Sequence, residues 1–193
     1  MLEYLKHIDT QLLLFVNGHN SPFIDSIMWQ ISGKWQWIPL YVALLSFIIY
    51  KYRKQSLFIV VGLVIAITIS DQISSGLLKN MVERLRPSHE PSLETLLHIV
   101  NNYRGGSFGF VSSHAANSFA LALFLSLLFR NRIFTCSIFV WAAVVAYSRI
   151  YLGVHYPGDV LGGIAVGMLS ALFIYWVLAK FFLNKNRHAS NQQ

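Results

Sequence analysis

Acidic side chains are scarce in this chain: eight Asp and Glu stand against fifteen Lys and Arg among 193 residues. Charge of either sign is thin too. Only 12% of residues are charged and 55% are apolar, where a soluble domain has about 25% and 45–50%. That deficit argues against a water-facing surface around the whole molecule and makes lipid its expected solvent. Cysteine is nearly absent. The single Cys136 lies inside an apolar segment, which excludes an intrachain disulfide and leaves a core or lipid-facing residue as the reading. A signal-peptide pattern is also missing from MLEYLKHIDTQLLLFVNGHN, because its LLLFV run is too short and no small-residue cleavage site follows. Nor is there a basic stripe. The net charge of +7 is spread among apolar runs, so no nucleic-acid partner is expected. Loop charge bias or an anionic ligand accounts for the excess better. No linker or low-complexity tract divides residues 1–193, and one domain is expected.

Long apolar runs are plentiful. Residues 35–50, 56–79, 111–129, 133–149 and 159–182 each approach the roughly 20 residues that cross a bilayer. They are too long and too little alternating for barrel strands, and a span must satisfy its own backbone, so helices are expected. Residues 3–32 differ. Asp9, Asn17, Asn20, Pro22 and Asp25 interrupt their apolar side chains, with NGHNSP (17–22) as a breaker. Two amphipathic helices lying in the membrane interface fit this pattern. The expected fold is an all-α integral membrane protein. Interfacial helices within 1–33 precede a bundle over 34–183 of five transmembrane helices, or six if the N-terminal region crosses. A polar cytoplasmic tail, 184–193, follows.

Basic clusters orient the bundle. KYRK (51–54), RNR (130–132) and KNR (185–187) fall at alternate ends of the spans, hence on one side, which the positive-inside rule makes cytoplasmic. Lys79, Arg84, Arg86, Arg104 and Arg149 fall on the other side and break the bias. Cations there need a local reason, and an anionic ligand supplies one.

Three stretches converge on that face: KNMVERLRP (79–87), FVSSHAANS (110–118) and SRIYLGVHYPGD (148–159). Lys79, Arg86 and Arg149 offer three cations, two of them planar forks suited to phosphate oxygens. A helix starting near Ser112 would aim its free N–H groups and positive dipole end at the same place. His155 precedes Asp159 by four residues, with Pro157 fit for a first helical turn between them. An imidazole braced by that carboxylate can attack phosphorus. His114 remains to protonate the leaving oxygen and then activate water. The Asp, Glu and His residues do not cluster as in a di-metal phosphatase, and three cations can neutralise a phosphate, so neither metal nor other cofactor is expected.

In order, Lys79…Arg86-Pro87, Ser112-Ser113-His114 and Ser148-Arg149…His155…Asp159 resemble the type-2 phosphatidic acid phosphatase superfamily, the membrane lipid phosphate phosphatases. The resemblance implies a phosphohistidine mechanism. His155 would be the nucleophile, Asp159 its orienter and His114 the general acid, then base. Lys79, Arg86, Ser112 and Arg149, with the Ser113 and His114 N–H groups, would hold the phosphate. The substrate class implied is a lipid phosphate monoester or diphosphate, cleaved on the non-cytoplasmic face of the inner membrane. Undecaprenyl diphosphate and lipid A lead; phosphatidylglycerol phosphate and phosphatidic acid follow. A non-catalytic phosphate-lipid binding or transport protein is the alternative from another class. One position departs from the family, whose middle motif is commonly Pro-Ser-Gly-His. A positive φ at Ser113 would cost about 1 kcal/mol or more.

Other residues have structural readings. Asp71, within a span, is expected to bond Ser74, Ser75 or a neighbouring helix. LGGIAVG (161–167) suggests close helix contact. Trp29, Trp35 and Trp37 suggest an interfacial belt. His7, His19, His89, His98 and His188 lack catalytic company, and Arg84 and Arg104 read as solvated loop charges or headgroup contacts.

Overall fold

Helix is the only regular structure among residues 2–183, which the computed structural model describes. Two short helices come first, α1 (Leu2–Gly18) and α2 (Pro22–Ser32). The break between them follows the expected cluster, and α2 starts where Ser21 Oγ accepts from Ile24 N–H with Pro22 in the first turn. The five apolar runs then appear as α3 (Ile38–Tyr52), α4 (Ser56–Asp71), α6 (Ser113–Phe129), α7 (Arg132–Tyr151) and α8 (Pro157–Leu178). A π-helical segment, Gln72–Leu78, carries α4 on into the short α5 (Lys79–Val82). The helical stretches Trp35–Val82, Arg132–Tyr151 and Pro157–Phe181 are long and apolar enough to cross a membrane, and Ser113–Phe129 is a shorter apolar helix. Arg53, at φ +48°, breaks the first of these into α3 and α4. The protein is an all-α, multi-pass membrane protein.

α6 occupies the middle. It is apolar on every side, as a fully surrounded helix should be, and Ala115, Ala116, Ala120, Ala122, Phe124 and Leu125 are all sealed from solvent. Small residues let α8 approach it closely. A Cβ at Gly163 would lie 2.4 Å from the Ser112 carbonyl oxygen, and one at Gly167 2.0 Å from that of Ala116. The close helix contact expected from LGGIAVG is therefore present. The outward faces of α3 and α4 leave Val42, Phe47, Ile49, Leu57 and Val61 exposed, a surface suited to acyl chains and not to water.

At one end of the bundle, the Tyr52 hydroxyl donates to Leu128 O at 3.0 Å, and Lys51 lies 5.5 Å from the Phe129 ring. KYRK and RNR thus sit together, as the charge pattern requires. At the other end, residues 83–112 form a pinned loop. Arg86 N–H donates to Ser107 O and Gly109 N–H to Arg84 O, each at 2.9 Å, around a lone bridge between Leu85 and Phe108. Asn17, buried on α1, ties this loop to α7 by donating to His98 O and Tyr151 O while accepting from His98 N–H. Asp25 on α2 receives the Tyr151 hydroxyl at 2.6 Å and pairs with His98 at 2.8 Å. His98 is thus a structural residue. Residues 184–193 and His188 lie outside the described residues.

Candidate active site

Four chain segments meet where the loop closes over the bundle. α5 begins with Lys79, whose Nζ donates to Ser113 Oγ at 3.1 Å. The loop supplies Arg86, almost sealed from solvent, with Nε donating to Phe108 O at 3.1 Å. α6 opens with Ser112 as its N-cap and Ser113 as its first residue. Ser113 takes ordinary right-handed geometry, so the positive φ that a glycine would serve is not required here. The last turn of α7 carries Arg149, buried, with Nη1 donating to Ser32 Oγ and Nη2 to the Tyr103 hydroxyl at 3.4 Å.

The turn after α7 brings in His155. Gly153 holds φ +69° there, and a Cβ would press on Asn17 and Ile99. Pro157 starts α8, and the Asp159 carboxylate reaches back so that its Oδ2 accepts from Tyr156 N–H at 3.0 Å. The same oxygen stands 3.5 Å from His155 Nδ1, and both side chains are buried. This is an orienting approach, longer than a hydrogen bond, and Nδ1 is buried without a hydrogen-bond partner. Burial pushes the His155 imidazole well below its ordinary pKa, and Arg86, Arg149 and Lys79 push it further; a backbone contact with Gly109 acts the other way. The ring is therefore neutral at neutral pH, the form that can act as a nucleophile.

The carboxylates are unevenly shared. Arg84 donates to Asp159 Oδ1 at 2.9 Å and to Asp9 Oδ2 at 2.7 Å. None of Lys79, Arg86 and Arg149 has a carboxylate within ion-pair distance among the described residues. Arg86 Nη1, Arg149 Nε and Ser112 Oγ are buried without hydrogen-bond partners. Buried donors and charges left so are expensive unless a ligand meets them. An oxyanion with several oxygens suits this set.

His114, half-buried at the start of α6, lines a cavity of about 510 Å³. The cavity runs from Ser32, Lys34 and Ser113 to the apolar Leu44, Ile48, Val64 and Leu121. Asp71 and Asn117 also line it; Asn117 Nδ2 donates to Asp71 Oδ1 at 2.9 Å, and Ser75 Oγ donates to the Asp71 carbonyl at 2.6 Å. The helix-to-helix bond expected for Asp71 is thus found. No group of three or more His, Cys, Asp or Glu side chains poised for a metal occurs among the described residues.

Sequence reasoning missed Arg84, Asp9, Ser32 and Tyr103. Arg84 is a partly buried ion-pair partner and not a solvated loop charge, because its guanidinium lies 3.9 Å from the Tyr156 ring and pairs with two carboxylates. Its place two residues before Arg86 was the available signal. Arg104 does remain half-exposed, bonded to Ser88 O and near Glu94.

Comparison with known proteins identifies the family. The model of the PAP2 superfamily matches residues 57–183, and the chain belongs to that family. A lipid A 4'-phosphatase of Bacteroides thetaiotaomicron is 45% identical over 182 residues, covering 93% of this chain and 81% of its own. A lipid A 4'-phosphatase of Porphyromonas gingivalis is 42% identical over 177 residues, 91% of this chain and 75% of its own. Among solved structures, the transmembrane PAP2 type phosphatidylglycerolphosphate phosphatase from Bacillus subtilis superposes with a TM-score of 0.71 at 23% identity. It covers 92% of this chain and 88% of that one, a likeness of fold. The protein is an enzyme, a membrane lipid phosphatase.

Proposed function

We propose that this lipid phosphatase removes a phosphate monoester from lipid A through a phosphohistidine intermediate, on the non-cytoplasmic face of the inner membrane. One observation carries the chemistry: a buried imidazole beside a carboxylate, surrounded by three cations that have no carboxylate of their own. A dianionic tetrahedral group balances those charges; a neutral substrate would not. The choice of lipid A rests on the two relatives of that activity, which span most of this chain at 45% and 42% identity. Undecaprenyl diphosphate, phosphatidylglycerol phosphate and phosphatidic acid rank behind it. The apolar cavity beside His114 supports a lipid substrate, since each buried methylene contributes about 0.8 kcal/mol.

In this reading Lys79, Arg86, Arg149 and Ser112 Oγ, with the N–H groups of Ser113 and His114 at the α6 terminus, hold the phosphate oxygens. His155 Nε2 attacks phosphorus while the bond to the lipid oxygen breaks, and His114 gives that oxygen its proton. Asp159 steadies the imidazolium that forms. His114, now neutral, takes a proton from water; the water oxygen displaces His155 and inorganic phosphate leaves. KYRK and RNR at the opposite end support the outward orientation, and the two short N-terminal helices suit the membrane interface on that side.

The test is phosphate release by the purified protein with chelator present, offered lipid A, undecaprenyl diphosphate and phosphatidylglycerol phosphate. The expected result is preferred turnover of lipid A, and loss of it in His155→Ala with lipid binding retained. Preferred turnover of another lipid overturns the substrate assignment. Unchanged turnover in His155→Ala overturns the nucleophile, and a chelator-sensitive rate overturns metal independence.

A further inference from the structure

Resting on that assignment of Asp159 and His155, we propose that Asp9 and Arg84 form a positioning relay that sets the catalytic carboxylate. The relay makes α1, which lies outside the residues matched by the family model, part of the machinery. Asp9 touches the α8 terminus from another helix. Its Oδ1 accepts from Gly158 N–H at 2.7 Å, one of the free donors of a helix first turn, where a negative charge also meets the positive dipole end. The approach needs glycine, since a Cβ at Gly158 would stand 2.8 Å from Asp9 Oδ2. That second oxygen accepts from Arg84 Nη2 at 2.7 Å, and Arg84 Nη1 donates to Asp159 Oδ1 at 2.9 Å.

Asp159 is thereby held at both oxygens. Oδ1 is fixed by Arg84, and Oδ2 by Tyr156 N–H, with His155 Nδ1 3.5 Å away. A fully buried carboxylate needs such partners to stay ionised and unrotated. The Arg84 guanidinium lies 3.9 Å from the centre of the Tyr156 ring and is occupied by two carboxylates, so it acts through Asp159 and not on phosphate.

The relay is tested with the full chain in detergent, measuring turnover of a water-soluble aryl phosphate by Arg84→Gln, Arg84→Lys, Asp9→Asn, Asp159→Asn and the double variants. Arg84→Gln is expected to lower kcat at least tenfold with KM unchanged, Asp9→Asn to lower it several-fold, and Arg84→Lys to recover part of the loss. In the Asp159→Asn background, Arg84→Gln and Asp9→Asn should each change kcat less than twofold, since residues acting through one partner are non-additive. Full additivity, or a loss in KM alone, overturns the relay. Should Arg84→Gln fail to fold, the Asp9–Asp159 cycle decides by the same criterion. His155→Ala run alongside separates the two readings: an active His155→Ala removes the nucleophile, whereas an inactive one beside a fully active Arg84→Gln removes only the relay.

Discussion

Gly167→Ala probes whether the α6–α8 contact sets the geometry of the site. Alanine is the better helix former by about 1 kcal/mol, so propensity alone forecasts a more stable protein. The structure forecasts the reverse. The new Cβ would stand 2.0 Å from the Ala116 carbonyl oxygen, 2.8 Å from its carbon and 3.0 Å from its Cα. All three are backbone atoms and cannot rotate away. Bringing the shortest contact out to about 3 Å moves the two helices apart by about 1 Å, because close-packed interiors transmit such strain. Overpacking of this kind costs about 1–3 kcal/mol, which exceeds the propensity gain. α6 carries His114 and α8 carries Asp159 about 12 Å along the axis from the clash. A displacement of about 1 Å at reacting groups costs on the order of 100-fold in rate. Thermal unfolding in detergent and phosphate release on the same sample measure both effects. Gly62→Ala is the control, since its Cβ would meet only side-chain atoms of Leu178 and Phe124 at 3.5 Å; it should keep full turnover and be at least as stable as the parent, showing the propensity gain without the clash. A Gly167→Ala protein at least as stable as the parent, with full turnover, would refute the claim that this contact holds the site together.

Three further outcomes are expected. His155 is held neutral by burial and then by Arg86, Arg149 and Lys79, so kcat/KM should show no His155 limb near the ordinary value of about 6.5. In Arg86→Gln one repelling cation is gone, the imidazole gains its proton more readily, and the acidic limb should move upward in a pH–rate profile; a limb that stays put contradicts the coupling. Arg149→Lys keeps the charge but not a fork that reaches Ser32 and Tyr103 together. Losing one charge-assisted bond costs about 1.5–3 kcal/mol, a drop of roughly 10- to 150-fold in kcat/KM, and an unchanged value would show that Arg149 serves only as a point charge. Val64→Trp places an indole in the cavity and should raise KM for the lipid while a water-soluble aryl phosphate turns over at the parental rate; equal effects on both would separate the cavity from lipid binding.

How much of this was legible beforehand depended on range. The five apolar runs were readable because a membrane span writes its length and composition directly into consecutive residues. The Asp71 bond and the α6–α8 contact were readable for a related reason: a charge, or a run of glycines, inside lipid has few ways to be accommodated. The local pair His155 and Asp159 followed from spacing across a proline-started helix. The partners of Arg84, Asp9, Ser32 and Tyr103 were not readable, since they lie 46 to 149 positions away. The one short-range hint for Arg84 was its place two residues before Arg86, and that hint names no partner. Arg84 meets a buried carboxylate and a tyrosine face, Arg104 an exposed glutamate and a loop carbonyl. Only the fold of residues 83–112 against α1 and α8 decides which is which.

That sorting sharpens the argument from charge bias. Lys79, Arg84, Arg86, Arg104 and Arg149 are among the cations at the end of the bundle opposite KYRK and RNR, and composition treats them alike. Contacts divide them. Arg84 and Arg104 have acidic partners, so each is balanced within the protein and asks for no ligand. Lys79, Arg86 and Arg149 have none among the described residues, yet these are the three that depress His155. Bringing like charges together in a buried place costs several kcal/mol per ion unless an opposite charge joins them. The same carboxylate that would quench this field is held 3.5 Å from the imidazole, with its other oxygen tied to Arg84. In the proposed reading Arg84 therefore has an electrostatic effect beyond position: it neutralises Asp159 towards the loop, leaving Lys79, Arg86 and Arg149 for an incoming dianion.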